Sequence, residues 1–204
     1  SALRETVVAI RELAPEAIVL LDGKRADIGS TNAGYVAAAF DELGVDAITV
    51  HPYLGREAMA PFLERAEKLL FVLARTSNPG AAEFQDLQAD GLPIYRHVSR
   101  AVAKDWNANG NCGLVVGATY PEEMRAVRED VPPTMPFLVP GIGAQGGDLA
   151  ATIAANREAG SNAYLIAASR SIIYSSSGAD FAEAANREAS ALDEAIRASA
   201  GLPR

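Results

Sequence analysis

Cysteine and histidine are scarce in this sequence, and their scarcity excludes several kinds of site. The 204 residues contain one cysteine, Cys112, and two histidines, His51 and His97, far apart along the chain. One cysteine cannot form an intrachain disulfide, and no Cys/His spacing typical of structural zinc occurs. Cys112 begins an apolar segment, so we expect a small core residue rather than a reactive thiol. A lone cysteine fits a reducing compartment, and we expect a cytoplasmic protein without a structural zinc site.

Basic residues are outnumbered, and long apolar runs are missing. The chain has 18 Lys and Arg against 26 Asp and Glu, a net charge of −8. An acidic chain is a poor match for nucleic acid, although a pocket for one phosphate needs only local donors. No run approaches the roughly 18 apolar residues of a membrane span. We therefore expect neither a nucleic-acid nor a membrane partner.

What the sequence does contain is a regular alternation of strand-like and helix-like segments. It indicates a parallel sheet of βα units, and strands that are apolar throughout indicate a sheet covered on both faces. No linker divides the chain, so we expect residues 1–204 to form a single (β/α) barrel domain. The predicted strands lie at residues 17–22, 46–50, 69–74, 112–117, 136–139 and 163–168. The predicted helices lie at residues 3–13, 31–43, 56–67, 92–108, 121–130, 147–159 and 180–199.

The strand count bears on the fold class. A doubly wound sheet would accept six strands, but the loops after the strands favour a TIM-type (β/α)8 barrel with six strands in this chain. Such a barrel usually needs about 250 residues. We therefore expect the native protein to have about 60 further N-terminal residues that supply a strand–helix–strand unit.

Two carboxylates and an ammonium follow the first apolar segment. Side chains alternate along an extended strand, so Asp22 and Lys24 should project from the same face, with Asp27 beyond them on a loop. A lysine beside a carboxylate stays protonated and offers a proton and a fixed positive charge to a developing carbanion. The alternative is a solvated ion pair worth about 0–1 kcal/mol.

Three later strand ends are also polar or rich in glycine. Residues 75–80 read Arg-Thr-Ser-Asn-Pro-Gly, which is typical of a turn but also suits the presentation of a hydroxyl and an amide to a polar heterocycle. Residues 140–148 contain four glycines and lead into a helix, a pattern typical of an anion-binding loop. Arg170 follows the next strand and would lie beside that loop. In a barrel these last two loops frequently bind phosphate.

The motifs resemble those of the orotidine 5′-phosphate decarboxylase family, in particular its longer bacterial branch. The resemblance implies a barrel that removes CO2 from orotidine 5′-phosphate to give UMP in pyrimidine biosynthesis, without a metal or organic cofactor. The matching segments follow the family's order and span nearly the whole chain, at residues 21–31, 49–55, 76–80, 113–119, 139–147 and 168–170.

The resemblance also implies roles for individual residues. Asp22 would destabilise the substrate carboxylate, and Lys24 would stabilise and protonate the C6 carbanion. Asp27 and Thr31 would enter the site of the neighbouring subunit, which implies a homodimer with shared sites. The other implied substrate-binding residues are Ser77 at the pyrimidine edge, Gln145 and Arg170 at the phosphate, and Pro140, Gly141, Gly146 and Ser169.

Some positions depart from the family pattern, and two other functions stay open. Gly23, His51 and Ala167 stand where Ala, Asn and Asn are commoner, and none of them removes a proposed catalytic group. We also do not find the family's first two strands, which carry an Asp and a Lys. One alternative is a sugar-phosphate decarboxylase or aldolase of the same superfamily, which would use Mg²⁺. The other is a non-catalytic protein that binds nucleotide phosphates.

Overall fold

The computed structural model describes residues 1–143 and 146–202, and its main feature is a sheet of six parallel strands. Two further short strands, β4 and β5, form a separate antiparallel hairpin. In chain order the strands are β1 (Leu20–Arg25), β2 (Ala47–Val50), β3 (Leu69–Arg75), β4 (Gln88–Ala89), β5 (Leu92–Pro93), β6 (Cys112–Val116), β7 (Phe137–Pro140) and β8 (Tyr164–Ala167).

Helices alternate with the strands of the large sheet. π-helical segments extend α2 over Ala37–Glu42 and α5 over Val102–Trp106, and a 3-10 turn at Pro79–Ala81 precedes α4. The helices of the described residues are α1 (Ala2–Leu13), α2 (Gly29–Val36), α3 (Gly55–Leu63), α4 (Ala82–Gln85), α5 (Ile94–Ala101), α6 (Pro121–Asp130), α7 (Leu149–Glu158), α8 (Arg170–Ile173) and α9 (Phe181–Ala200).

The order of the strands decides between the two candidate folds. The large sheet has the order β1-β2-β3-β6-β7-β8, so each of its strands lies beside the next strand of the same sheet. A doubly wound sheet would reverse direction at a switch point, whereas a barrel progresses in one direction. The edge strands β1 and β8 contribute residues to one cavity, so the sheet is curled. The predicted barrel-type fold is confirmed.

Each face of the sheet buries its own apolar cluster. On β3, Leu70 and Val72 pack into the larger core between the sheet and the helices, whereas Phe71 faces the inside of the curl. This alternation follows from the two-residue period of a strand. Because Val115 and Leu138 of the inner cluster also line the cavity, that cluster forms the cavity floor. The buried members of the inner cluster are Ala47, Phe71, Val115 and Leu138.

The first strand lies further along the chain than predicted. The sequence predicts residues 17–22, where the apolar run ends, but β1 continues to Arg25. The backbone N–H of Lys24 donates to Thr49 Oγ1 at 2.9 Å, and the N–H of His51 donates to the carbonyl oxygen of Arg25 at 3.1 Å. These bonds keep the polar residues in the sheet, at the rim of the cavity.

The predicted helix at residues 92–108 is wrong at its start. Residues 92–93 form β5, and α5 begins at Ile94. Asp90 and Gly91 join β4 to β5 with φ values of 49° and 77°, the left-handed values that a two-residue hairpin turn requires. An Asp-Gly pair is therefore the hairpin signal that the helical interpretation overlooked. Helices α4 and α8 were also not predicted, because four residues leave too short a periodic pattern.

Candidate active site

A cavity of about 610 Å³ lies at the carboxyl ends of the parallel strands. Residues from the edge strands β1 and β8 and from the central strands β3 and β6 line it, so chemically different groups surround one cavity. Leu20, Leu73 and Ala167 add apolar surface to its lining. The predicted site residues that line it are Asp22, Lys24, Ser77, Pro140, Gly141, Ser169 and Arg170.

Asp22 and Lys24 form an ion pair at one end of this cavity. Lys24 Nζ lies 2.6 Å from Asp22 Oδ1 and 2.7 Å from Oδ2, so the ammonium contacts both carboxylate oxygens. The two side chains are 59% and 51% exposed, so the pair remains accessible to a ligand in the cavity. The predicted pairing is confirmed.

The backbone that produces this pairing is not the extended strand that was predicted. Lys24 has a φ of 45°, in the left-handed region, and the pairing of β1 with β2 shifts register between Leu21 and Arg25. Thr49 of β2 fills the irregularity, because its buried hydroxyl contacts both Lys24 N (2.9 Å) and Asp22 Oδ1 (2.8 Å). The two side chains therefore meet through a bulge rather than through simple alternation.

The loop after β3 forms the next wall, and hydrogen bonds from side chains to both side chains and backbone order it. A Cβ at Gly117, just after β6, would lie only 2.8 Å from Ser77 Cβ, so glycine lets Ser77 sit against that strand end. Gln85 accepts from Thr76 N (2.9 Å) and donates to Thr76 Oγ1 (2.8 Å), and this hydroxyl donates to Asn78 Oδ1 (2.6 Å). The loop is thus both a turn and an ordered cavity wall.

A buried arginine supports this loop from behind. Arg75 is 1% exposed, and its Nη2 donates to Asp86 Oδ2 at 3.1 Å. Its guanidinium lies 4.1 Å from the centre of the Tyr120 ring, and Nη1 donates to the carbonyl oxygen of Thr76 at 3.2 Å. The carboxylate and the ring compensate the buried charge, and the carbonyl contact fixes the start of the loop.

The end of the cavity beside β7 and β8 is lined by Gly141, the first glycine of a glycine-rich segment. Gly141, Gly143 and Gly146 have positive φ values of 102°, 76° and 80°. The N–H of Gly147 donates to the carbonyl oxygen of Gly141 at 3.0 Å, and a Cβ at Gly147 would lie 2.6 Å from that oxygen. Gly147 therefore packs tightly against the end of β7, an approach that only glycine permits.

Arg170 adds a positive charge at this glycine-rich end. It is the first residue of α8, and Ser169, the residue before it, accepts hydrogen bonds from Ile172 N and Ile173 N through its carbonyl oxygen. Ser169 and Arg170 both line the cavity with Gly141. Arg170 thus shares the cavity with the glycine-rich segment, and its role in binding phosphate stays a prediction.

The combination of an Asp–Lys pair with a glycine segment and an arginine in one barrel cavity agrees with the comparison to known sequences. The profile of the Orotidine 5′-phosphate decarboxylase / HUMPS family matches residues 2–185. The chain belongs to this family. A curated relative from Herpetosiphon aurantiacus, named orotidine 5′-phosphate decarboxylase, is 52% identical over 192 residues, which cover 94% of this chain and 69% of the relative.

Solved structures of family members have the same fold. OMP decarboxylase of Leishmania donovani is 38% identical, with a TM-score of 0.83, over 99% of this chain and 74% of that one. UMP synthase of the same organism is 40% identical, with a TM-score of 0.81, over 96% of this chain and 42% of that longer one. The barrel-type fold is thus that of the decarboxylase family.

Asp27 and Thr31, two of the residues implied by the family pattern, do not line the cavity of their own chain. Asn32 is fully buried beside them and accepts from Asp27 N at 2.9 Å. Its amide nitrogen donates to the carbonyl oxygens of Asp27 (2.7 Å) and Ala58 (2.6 Å). The Asp27 turn is therefore fixed against α3, outside its own cavity.

The remaining predicted positions have mixed outcomes. Gly146 belongs to the glycine-rich end but does not itself line the cavity, and Gln145 lies outside the described residues. Cys112 is buried, and burial raises the pKa of its thiol to about 12, so the prediction of a core residue is confirmed.

In residues 1–143 and 146–202, no His, Cys, Asp and Glu side chains cluster in a way that could hold a metal ion. No helix there has the length and apolarity to cross a membrane.

Three residues that shape the site were not predicted from the sequence, namely Thr49, Arg75 and Gln85. A polar residue inside the apolar strand Ala47–Val50 was the available signal for Thr49. An arginine at the end of the apolar strand β3 was the signal for Arg75. No signal in the sequence marked Gln85, because Gln85 meets its partner Thr76 only through the fold of the loop between them.

Proposed function

We propose that this protein decarboxylates orotidine 5′-phosphate to UMP, as an enzyme of pyrimidine biosynthesis in the cytoplasm. The observation that carries the proposal is the single cavity, which has the Asp22–Lys24 pair at one end and the glycine segment with Arg170 at the other. A nucleotide whose phosphate binds Arg170 would reach the ion pair with its pyrimidine. Names of family members at 52% and 38% identity support this choice of substrate.

The ion pair provides the chemistry in this proposal. The negative charge of Asp22 lies close to the position of the substrate carboxylate and raises the energy of the bound ground state. When the bond between C6 and the carboxylate breaks, CO2 leaves and the electron pair stays on C6. The Lys24 ammonium stabilises that carbanion and transfers a proton to C6, and solvent returns a proton to Lys24. The net reaction takes up one proton and releases CO2 and UMP.

Binding energy from the phosphate end assists the reacting end. Arg170 and the backbone of the glycine segment contact no reacting atom, so their contacts are available in both ground and transition states. Energy from such remote contacts can order the loops and hold the pyrimidine carboxylate against Asp22. We therefore assign Gln145, Pro140, Gly141, Gly146 and Ser169 to substrate binding rather than to bond breaking.

The proposed enzyme acts as a homodimer in which Asp27 and Thr31 complete the partner's site. Support comes from Ile28, which directly follows Asp27 and is 59% exposed. In the proposed dimer this side chain would be covered by the partner, and a two-fold axis would supply each Asp27 reciprocally.

The decisive experiment is substitution of Lys24. Lys24→Ala should lower kcat for orotidine 5′-phosphate by more than about a thousandfold, because the central acid acts in the transition state. UMP affinity, measured by calorimetry, should change by less than about threefold, since the phosphate contacts remain.

Lys104→Ala is the matched control for this experiment, because Lys104 is exposed and lies outside the cavity. More than about a tenth of the activity in Lys24→Ala would contradict the proposal, as the effect would be below ~1.4 kcal/mol. Loss of activity in EDTA would instead favour the Mg²⁺-dependent alternative, and UMP binding without turnover in the unchanged protein would favour the binding-protein alternative.

Subunit complementation tests the shared site. Lys24→Ala and Asp27→Ala proteins should each be inactive, and mixing them should restore up to about a quarter of the sites, because half of randomly paired dimers are mixed and each contains one intact site. Subunit exchange is followed by native mass spectrometry. Exchange without any recovery of activity would contradict sharing across the interface.

A further inference from the structure

We infer that Thr49 is a positioning residue of the proposed decarboxylase, whose buried hydroxyl sets the orientation of Asp22 and the backbone conformation of Lys24. The inference rests on the proposed function for its catalytic consequence, whereas its geometric part stands on the contacts alone. Thr49 does not line the cavity and is fully buried, so it acts only through its two partners.

The direction of each hydrogen bond at Thr49 is fixed. The backbone N–H of Lys24 can only donate, so the Thr49 oxygen accepts this bond at 2.9 Å. The hydroxyl proton then points to Asp22 Oδ1 at 2.8 Å, which must accept as a carboxylate oxygen. Thr49 thus links two residues of β1 through one side chain of β2.

The Lys24 backbone needs this support. A positive φ is unfavourable for a residue with a Cβ and is rare outside turns. Among the described non-glycine residues the only other example is Asp90, which lies in the hairpin turn beside Gly91. Lys24 instead lies within a strand, where its N–H bonds to a side chain rather than to a strand carbonyl. The bond to Thr49 holds the bulge that brings the ammonium back onto Asp22.

The same contacts distinguish the two oxygens of Asp22. Oδ1 accepts from both Thr49 and Lys24 Nζ, whereas Oδ2 accepts from Lys24 Nζ alone among the described residues. Oδ2 therefore keeps more of its charge for a group in the cavity. Thr49 selects it as the oxygen that opposes the substrate carboxylate, and threonine suits this task because branching at Cβ restricts its side chain.

Thr49→Val tests the inference, since valine has a similar shape and lacks the hydroxyl. We expect kcat to fall about tenfold or more, while KM for orotidine 5′-phosphate changes by less than about threefold, because the missing contact acts on the reacting end. Thr49→Ser should restore kcat to within about threefold of the unchanged protein, because it restores the hydroxyl.

Thr152→Val is the matched control. Thr152 is also fully buried, on α7, and its hydroxyl has no hydrogen-bond partner among the described residues. This variant should keep kcat within about twofold. An unchanged kcat in Thr49→Val, or no rescue by Thr49→Ser when both variants are folded, would overturn the catalytic role of the hydroxyl.

A second readout does not depend on activity. Acetic anhydride labelling followed by mass spectrometry compares Lys24 with the exposed Lys104 of the same molecule. The Lys24 to Lys104 labelling ratio should rise severalfold in Thr49→Val and not in Thr152→Val, because the ion pair loosens. An unchanged ratio would overturn the geometric inference. If the unchanged protein does not decarboxylate the substrate, the proposed function fails and this ratio alone decides the role of Thr49.

Discussion

The two ends of the cavity differ in the groups that form them, which are mainly side chains at one end and mainly backbone at the other. At the proposed reacting end, the Asp22 side chain contacts the side chains of Lys24 and Thr49, and Thr49 also accepts from the Lys24 backbone N–H, all within 2.9 Å. At the anchoring end, glycine backbone with positive φ folds beside one charged side chain, Arg170. Bond breaking needs charges at fixed positions, whereas a phosphate with several oxygens accepts any converging set of donors. The strands therefore hold the charged side chains at fixed positions, whereas the loops supply donors that can adjust to a phosphate.

Removal of Arg170 should give the largest effect at the anchoring end. Arg170→Ala should weaken both UMP and ribose 5-phosphate about 100-fold, because charge-assisted hydrogen bonds to phosphate contribute roughly 1.5–3 kcal/mol. It should also lower kcat, because part of that energy orders the reacting end. Calorimetry and steady-state kinetics measure the two effects, and Arg187→Ala, on the exposed surface of α9, serves as the control. Unchanged affinity for ribose 5-phosphate would remove Arg170 from the phosphate site.

Alanine substitutions at Gly147 and Gly117 should distinguish the two ends of the cavity, with smaller losses of ligand affinity than Arg170→Ala. An alanine Cβ would lie 2.6 Å from the Gly141 oxygen at position 147 and 2.8 Å from Ser77 Cβ at position 117, so each substitution displaces one wall. Gly147→Ala should weaken UMP and ribose 5-phosphate alike, by about tenfold, whereas Gly117→Ala should weaken UMP alone by a similar factor. Equal losses of both ligands in both variants would mean that the two walls move together, and the distinction between the ends would fail.

The smallest effect on the site is expected from Asp130, which lies outside the cavity lining. Its loss should change the stability of the fold at low pH and leave ligand affinity unchanged. Asp130, 4% exposed, binds Arg96 and Arg100 of α5 at 2.6 and 2.8 Å. Burial raises the pKa of Asp130, but the two arginines outweigh it and bring the pKa below the usual 3.8. The stabilisation is therefore present above the unfolded-state pKa and is lost as the pH falls through the lower folded-state value.

Asp130→Asn tests this assignment. The variant should unfold about 1 kcal/mol more easily at pH 7 and lose less stability than the unchanged protein below about pH 4. Urea unfolding at several pH values measures this, and UMP affinity at pH 7 should not change. A parallel pH dependence in both proteins would show that other carboxylates dominate acid unfolding.

The parts of the fold that local patterns encode were predictable. Helix α6 was predicted at its observed bounds, and the contact of Lys24 with Asp22 was predicted from their spacing of two residues, although a bulge rather than an extended strand produces it. The hairpin at Asp90 also had a local signal, which the helical pattern after it obscured. Local sequence patterns therefore predict helices, strands and contacts between residues close in sequence.

The rest depends on partners that are distant in sequence. Thr49 meets Lys24 across 25 positions, and a hydrophobic pattern says only that Thr49 interrupts an apolar strand, not which group receives its hydroxyl. The extent of β1 was missed for the same reason, because its polar end is held by β2 and not by its own apolarity. Arg75 and Asp86 pair only after the loop between them has folded.

Asn32 has a thermodynamic consequence for assembly. Its amide joins the Asp27 turn to α3 within one chain, so this turn is ordered before any second subunit arrives. In the proposed dimer, the conformational entropy of the turn is lost during folding and not on association. Replacement of Asn32 would transfer that entropy loss to the assembly step, so a distant, fully buried amide would set the concentration at which complete active sites form.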